Sequence, residues 1–301
     1  TLVQTSGTVS ATKFVGDGSG LINVNPNLSD SLNNIKVGTS ALASNTTGSN
    51  NIAIGLSSLY GNNTGEENIA IGRSALMFNV GGQKNIAIGP AALEGNNSSN
   101  NNIGIGYETL FFNDSGDDNI AIGNYALKNN KQTKNVAIGS SALTANTSGG
   151  INTAVGNNAL KANTTGGGNT AIGYDALSSN TTGFTNIALG QNTLKENTTG
   201  TGNTALGYAS GQNNTTGGSN TYLGNQTGTT SGSTISNATA IGANATVTTS
   251  NTVQLGDTNV TLVQTSGTVS ATKFVGDGSG LINVNPNLSD SLNNIKVGTS
   301  A

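Results

Sequence analysis

Apolar and polar residues alternate along this chain in a pattern with a 17-residue period. Each period reads Asn-Ile-Ala-Ile-Gly, two variable residues, Ala-Leu, two more, and Asn-Thr-Thr-Gly. We number the positions of a period from 0, the leading Asn, to 16. The step between leading asparagines is constant, except for a single step that is one residue shorter. These asparagines are Asn34, Asn51, Asn68, Asn85, Asn102, Asn119, Asn135, Asn152, Asn169, Asn186, Asn203 and Asn220. Such a period is typical of a solenoid, whose successive coils stack on a shared core.

Positions 1 to 3 have the character of a short β-strand. Position 1 is mostly Ile or Thr, position 2 is almost always Ala, and position 3 is always aliphatic, as in Ile54 and Ile71. Alternation with β-branched residues predicts a strand whose positions 1 and 3 share one face. We expect position 3 to face the core, together with the leucines of position 8, such as Leu59 and Leu76.

Glycine recurs at fixed places and predicts the corners of each coil. Position 4 is Gly in every period, as in Gly55 and Gly72, and position 14 is mostly Gly. Two apolar walls between two corners predict an all-β fold, a parallel β-roll or β-solenoid of 17-residue coils. A helix is excluded, because it would be broken twice in each period.

Asparagine forms two further columns, at position 0 (Asn51, Asn68) and position 11 (Asn62, Asn79). Stacked amides can hydrogen-bond from coil to coil, so both columns are interpreted as ladders. The alternative is N-glycosylation, since several position-11 asparagines begin Asn-x-Ser/Thr sequences. Examples of such sequences begin at Asn45, Asn163 and Asn180.

The small residue at position 2 permits close approach of another backbone. The favoured interpretation is a seam between chains around a shared axis, and the alternative is the tight interior of a single-chain solenoid. The whole fibre is then a homo-oligomer of three or more chains.

A larger repeat lies above the short one, because residues 261–301 copy residues 1–41 without change. We interpret the chain as a window of a longer tandem array of 260-residue units; a cloning duplication is the alternative. The joints are predicted to hold a β-hairpin across Ser266-Gly267 and a short helix beginning near Asn285. The predicted segments are a joint at 1–33, the β-roll at 34–256, a second joint at 257–293 and the next roll from 294 to 301.

Composition narrows the possible chemistry. The chain has no Cys or His, 8% charged residues and a net charge of −3. We therefore expect no disulfide, zinc or haem site, no cofactor, no nucleic-acid binding and no enzymatic activity. No run of 18 apolar residues is present, so we expect no membrane span in this segment. The Gly276–Gly280 loop lacks the residues of a phosphate cradle.

The few charges align between neighbouring periods. Glu66 and Glu67 precede Lys84 by about one period, and Asp117 and Asp118 precede Lys134 in the same way, which predicts weak surface ion pairs. A weaker interpretation is a Ca²⁺ site formed by three carboxylates. These are Asp114, Asp117 and Asp118.

Several phrases resemble the heads of trimeric autotransporter adhesins. Ile-Ala-Ile-Gly followed by Ala is similar to the head coil of that family. The segments starting at Ala240 (Ala-Ile-Gly-Ala-Asn-Ala) and Asn251 (Asn-Thr-Val-Gln-Leu-Gly) are similar to its last coil and neck. The fuller phrase and the Gly-Asp-Gly-Ser-Gly-Leu joint also resemble giant surface and tail-fibre proteins. The unchanged 260-residue unit resembles the grappling-hook filaments of predatory filamentous marine bacteria.

The resemblance implies a left-handed roll, three chains around an axis and an adhesive or spacer role outside the cell. The longer coil and the missing heptad stalk depart from that family, and leave a larger ring open. We expect an extracellular, load-bearing filament or adhesin shaft that contacts a target cell surface or glycan. Alternatives are a phage tail fibre and a glycan- or ice-binding solenoid. The latter would use stacked threonine pairs at Thr164-Thr165, Thr181-Thr182, Thr198-Thr199 and Thr215-Thr216.

Overall fold

The computed structural model describes residues 30–270. This part of the chain is a parallel β-solenoid without a helix, as the repeat predicts. Fourteen short strands form one parallel sheet in chain order, and two others pair separately. The strands are β1 Ile35–Val37, β2 Ile52–Ile54, β3 Ile69–Ile71, β4 Ile86–Ile88, β5 Ile103–Ile105, β6 Ile120–Ile122, β7 Val136–Ile138, β8 Thr153–Val155, β9 Thr170–Ile172, β10 Ile187–Leu189, β11 Thr204–Leu206, β12 Thr221–Leu223, β13 Gly228–Thr229, β14 Thr239–Ile241, β15 Thr246–Val247 and β16 Val253–Leu255.

The strands stack with equivalent residues directly paired. Ala53 of β2 pairs with Ala70 of β3, the equivalent residue of the next period. The one shortened period does not disturb this register, and Ala121 of β6 still pairs with Ala137 of β7. With one strand per coil and about 4.8 Å between strands, the 14-stranded sheet extends roughly 62 Å.

The interior is a thin layer of alanine packed on leucine. Ala53 and Leu59 are both fully buried, and so are most residues at positions 2 and 8. Position 2 of one coil faces position 8 of the preceding coil. This is clear at Gly104, where an added Cβ would lie 3.3 Å from the side chain of Leu93. A methyl group is therefore about the largest substituent that the space opposite each leucine accepts.

The prediction that position 3 forms the core is wrong. Ile54 and Ile71 are each 37% exposed and point to the outer face of the sheet, while the alanines between the strand isoleucines point inward. The favoured interpretation of alanine as a seam between chains is wrong for the same reason, and the single-chain interior is what the structure contains. The bulky β-branched residues lie outside because the interior is too thin for them.

One exchange of large and small residues supports this account. Tyr222 occupies position 2 in place of Ala and is fully buried. The facing position 8 in the preceding coil is Gly211, where a Cβ would lie 2.5 Å from the Tyr222 ring. Burial raises the pKa of Tyr222, and the neighbouring Thr229 hydroxyl opposes that rise. The interior volume is thus conserved even where the repeat changes.

The corners depend on left-handed backbone conformations. Gly55 and Gly72 have φ of +134° and +135°, and a Cβ on Gly72 would lie 2.6 Å from the carbonyl oxygen of Gly89. Non-glycine residues at positions 6, 8 and 16 are also left-handed, including Leu59 at φ 49°. Each such residue costs about 1 kcal/mol or more, so the coil persists only because stacking overdetermines it.

Most of the predicted joints lie outside the described residues. The described part of the second joint includes residues 260–270, which are exposed and contain no strand. The first arm of the predicted hairpin is therefore not formed as a strand there. The other arm beyond residue 270, the helix near Asn285, the Gly276–Gly280 loop and almost all of the joint at 1–33 are not described.

Two neighbouring residues of β6 test which face is internal. We expect Ala121→Asp to lower the free energy of unfolding by more than about 4 kcal/mol, because it buries an unpaired charge. In a monomeric chain, the matched change Ile122→Asp should cost about 1 kcal/mol or less, since Ile122 is 37% exposed. Urea unfolding followed by circular dichroism measures both. A larger loss for Ile122→Asp than for Ala121→Asp would contradict the assignment of the two faces.

Candidate interaction face and asparagine ladders

The position-0 asparagines form a continuous ladder inside the stack. The backbone N–H of Asn68 donates to Oδ1 of Asn51 at 2.9 Å, and its Nδ2 donates to the same oxygen at 3.1 Å. The Nδ2 group also donates to the carbonyl oxygen of Gly82 at 2.8 Å. Asn51 and Asn68 are fully buried, so each amide satisfies groups that water cannot reach.

The position-11 asparagines form a second ladder that meets the first. Nδ2 of Asn79 donates to Oδ1 of Asn62 at 2.8 Å and to the carbonyl oxygen of Gly82 at 2.9 Å. Gly82 thus accepts from both Asn68 and Asn79. A Cβ on the equivalent Gly65 would collide with Oδ1 of Asn62 and the carbonyl oxygen of Gly82. Position 14 is therefore mostly Gly, because two amide side chains and a carbonyl oxygen of the next coil occupy the space of a Cβ.

An acidic residue ends the position-0 ladder at its first coil. Oδ1 of Asp30 accepts from the backbone N–H of Asn34 at 3.0 Å, where a preceding coil would supply an asparagine oxygen. Although partial burial raises the pKa of Asp30, hydrogen bonds from the N–H groups of Asn34 and Leu32 lower it below its ordinary value. At the first described coil, Asp30 therefore takes the place that an asparagine oxygen takes in the later coils.

The ladder makes the asparagines of the position-11 glycosylation sequences inaccessible in the folded chain. Asn163 and Asn180 are fully buried, and Nδ2 of Asn163 donates to Oδ1 of Asn146 and to the carbonyl oxygen of Gly166, at 2.8 and 2.9 Å. An attached glycan would replace one of the two donated hydrogens and would have no room at this buried nitrogen. In the folded stack these asparagines serve the ladder.

The outer face of the large sheet carries the exposed isoleucines. Positions 1 and 3 supply 28 side chains over the 14 strands; five are Thr, the rest are aliphatic, and none is charged. The position-3 side chains form its most exposed column. Those exposed by 37% or more are Val37, Ile54, Ile71, Ile88, Ile122, Ile138, Ile172, Leu206, Leu223, Ile241 and Leu255. We call the outward side of positions 1 and 3 the aliphatic face.

The aliphatic face is about as large as the largest apolar patches that monomeric proteins expose. Fourteen strands at about 4.8 Å, each three residues of about 3.3 Å, give roughly 600 Å². The largest apolar patch on a typical monomer is about 300–600 Å², and each partner of a standard interface buries about 800 Å². The aliphatic face reaches the upper end of the first range and approaches the second.

Ion pairs join positions 6 and 9 of successive coils. Nζ of Lys128 lies 2.6 Å from Oε2 of Glu108, and Nζ of Lys195 lies 2.9 Å from Oδ2 of Asp175. The Lys128 ammonium, helped by the Tyr107 hydroxyl, lowers the pKa of Glu108. These diagonal pairs join different positions of the period, so a comparison of equivalent or adjacent positions in the sequence does not predict them.

The ion pairs predicted at positions 15 and 16 do not form within the described residues. Glu66, Glu67 and Lys84 make no ion pair there. The carboxylates of Asp117 and Asp118 accept instead from Asn100 N–H (2.7 Å) and Asn101 Nδ2 (3.1 Å).

The structure gives no support to the Ca²⁺ interpretation of Asp114, Asp117 and Asp118. Over the described part of the chain, no three acidic side chains are grouped closely enough for a cation. Asp114 instead lies 3.9 Å from the ammonium group of Lys131. The three carboxylates are therefore occupied by separate partners on the surface.

The stacked threonines are partly used within the fold. Oγ1 of Thr164 donates to the carbonyl oxygen of Thr181 at 3.0 Å, and Thr181 repeats this bond to Thr198. The position-12 hydroxyls are thus committed to the coil above. The position-13 partners, such as Thr165 and Thr182, are exposed. A ligand could reach only half of each pair.

The fold and the ladders define a parallel β-solenoid protein with tandem-repeat character. No protein-family model matches the chain, and no curated protein sequence matches it. No helix in the described region is long and apolar enough to cross a membrane.

Two adjacent asparagines, one in the ladder and one exposed, test how much the ladder contributes to the free energy of unfolding. Asn96→Ala removes two donated bonds, to Asn79 Oδ1 (3.0 Å) and Ser99 O (2.9 Å), and leaves buried groups unpaired. We expect a loss of about 2–4 kcal/mol in the free energy of unfolding. Asn97→Ala, at an exposed neighbour, should change it by less than about 0.5 kcal/mol. Equal losses in urea titrations would argue against the ladder as a source of stability.

Proposed function

We propose that this chain is the structural repeat unit of a long extracellular filament or adhesin shaft. The observation that supports the proposal most directly is the aliphatic face, a surface without charge that runs over all 14 strands of the sheet. A solitary chain would leave this surface in water along its whole length. The stack of buried amide ladders provides a stiff element that can transmit tension between tandem units.

The partner proposed for the aliphatic face is a second copy of the same chain. The area of roughly 600 Å² is close to what each partner contributes to a stable interface. A face built from repeated, directly stacked strands matches an identical face better than an unrelated surface, because equivalent side chains recur from strand to strand. Three or more chains around an axis, with their aliphatic faces inward, would bury the face of each chain.

The family resemblance of the coil phrases agrees with an extracellular adhesive role. The resemblance to trimeric autotransporter heads, and to the filaments of predatory marine bacteria, favours attachment to another cell. A phage tail fibre is the second candidate, since it uses the same stacking of β-coils. A structural role requires no catalytic group or cofactor, and the proposal includes neither.

Light scattering after size-exclusion chromatography tests the assembly. We expect the wild-type chain to run as an oligomer, and Ile54→Lys, Ile71→Lys and Ile88→Lys together to give a monomer. Charges on the aliphatic face would be costly to bury between chains. The control carries Thr165→Lys, Thr182→Lys and Thr199→Lys, three exposed residues on another face, and should remain oligomeric.

Circular dichroism should show the same fold in all three proteins. A monomeric wild type at every concentration, or an oligomer that survives the three isoleucine changes, would overturn the proposed partner. The location is tested separately by immunogold labelling of intact cells. Label on filaments outside the cell supports the shaft, and label confined to phage particles supports the tail fibre.

A further inference from the structure

A shallow cleft opens on the surface of the stack, beside the position-11 ladder and away from the aliphatic face. Its volume is about 350 Å³, within the range of small-molecule sites. The lining residues alternate between positions 10 and 12, on either side of the buried position-11 asparagines. They are Gly95, Phe112, Asp114, Asn129, Lys131 and Thr147.

The cleft lies where the edge of the stack loses backbone hydrogen bonds. In the next coils, the N–H groups of Thr147 and Ser148 both donate to the carbonyl oxygen of Thr164 at 3.0 Å. In the described structure, the N–H groups of Asp114 and Ser115 have no such acceptor. The coil that follows them is the shortened one, and its missing residue falls in this stretch. Among the described residues, the N–H groups of Asn97 and Ser98, one coil earlier, also lack such an acceptor, although a full-length coil follows them. Polar backbone groups are therefore available along this edge of the stack over two successive coils.

An exposed aromatic ring forms one wall. Phe112 is 51% exposed and is held edge-on against Phe111, with ring centroids 4.5 Å apart. Two coils earlier, Phe78 is 52% exposed at the same position, and Gly95 lies between them. The two phenylalanines are two coils apart, which is about 9.6 Å. Because the residue between them is Gly95, no side chain at position 10 fills this space.

Polar groups of both charges lie beside the aromatic wall. Oδ2 of Asp114 and Nζ of Lys131 are 3.9 Å apart, and both side chains are more than half exposed. Nδ2 of Asn129 donates to the carbonyl oxygen of Thr144 at 3.0 Å, which fixes the amide and leaves its Oδ1 free to accept. An apolar ring beside a carboxylate, an amide and an ammonium group suits a ligand with C–H faces and many hydroxyl groups.

We propose that this cleft binds one sugar ring of a glycan. The ring would stack on Phe112, and its hydroxyl groups would pair with Asp114, Asn129 and Lys131. A folded protein partner would need a contact area far larger than this cleft provides. The packing of the fold does not require Phe112, because position 10 is small in other coils, as at Ala145 and Ala162. The proposal is independent of the assembly through the aliphatic face.

The test uses the intact chain on an array of bacterial, algal and animal glycans, followed by calorimetric titration of the strongest binder. We expect Phe112→Ala to weaken binding roughly tenfold or more, because it removes the stacked ring. Asp114→Asn should also weaken binding, because it removes the charged acceptor for the sugar hydroxyl groups. It keeps the shape of the side chain and so disturbs the fold less than Phe112→Ala. The control Phe184→Ala removes an equally exposed phenylalanine, 48% exposed, from position 15 of another coil, and should leave affinity unchanged.

Circular dichroism identifies any variant that fails to fold, and Asp114→Asn then decides the outcome. The triple isoleucine-to-lysine variant should bind the glycan as the wild type does, which separates this site from the assembly face. The proposal is overturned if no glycan binds, if Phe112→Ala and Asp114→Asn both bind normally, or if Phe184→Ala loses as much affinity as Phe112→Ala.

Discussion

The whole stack depends on buried amide groups that bond to the equivalent amide one coil away and to a backbone carbonyl of their own coil. Alanine on leucine supplies contact area, but such an interior would tolerate many offsets between coils. The asparagine ladders do not, because a displaced coil leaves several buried donors and acceptors unpaired. The convergence of Asn68 and Asn79 on the carbonyl oxygen of Gly82 fixes both ends of the coil at once. Register is therefore set by polar groups, and the apolar layer follows it.

Much of this architecture could be predicted from the sequence. The 17-residue period, the glycine at position 4, such as Gly72, and the asparagines at positions 0 and 11 predict parallel strands, stacked coils and a corner. The leucines of position 8 were also placed correctly inside. These features repeat in nearly every coil, and repetition at a fixed spacing is what direct stacking of equivalent residues requires.

The sequence pattern does not predict which face of the strand lies inside the solenoid. Alternation shows that Ala53 and Ile54 lie on opposite faces, but not which face is internal, and the larger side chain was wrongly placed inside. The left-handed Leu59 carries no local signal, because this conformation is rare for leucine. The pair of Glu108 and Lys128 joins different positions of two coils, so only the three-dimensional path reveals it.

The amide columns also determine how such a protein would age. Hydrolysis of one ladder side chain, such as Asn68, to aspartate would place an unpaired negative charge in the buried interior. Such a charge would destabilise the stack. The reaction is fastest where glycine follows asparagine, since the bare backbone lets the next nitrogen attack. The chain has 48 asparagines and 44 glycines, yet that dipeptide does not occur. The chain therefore lacks the Asn-Gly sequences at which deamidation is fastest.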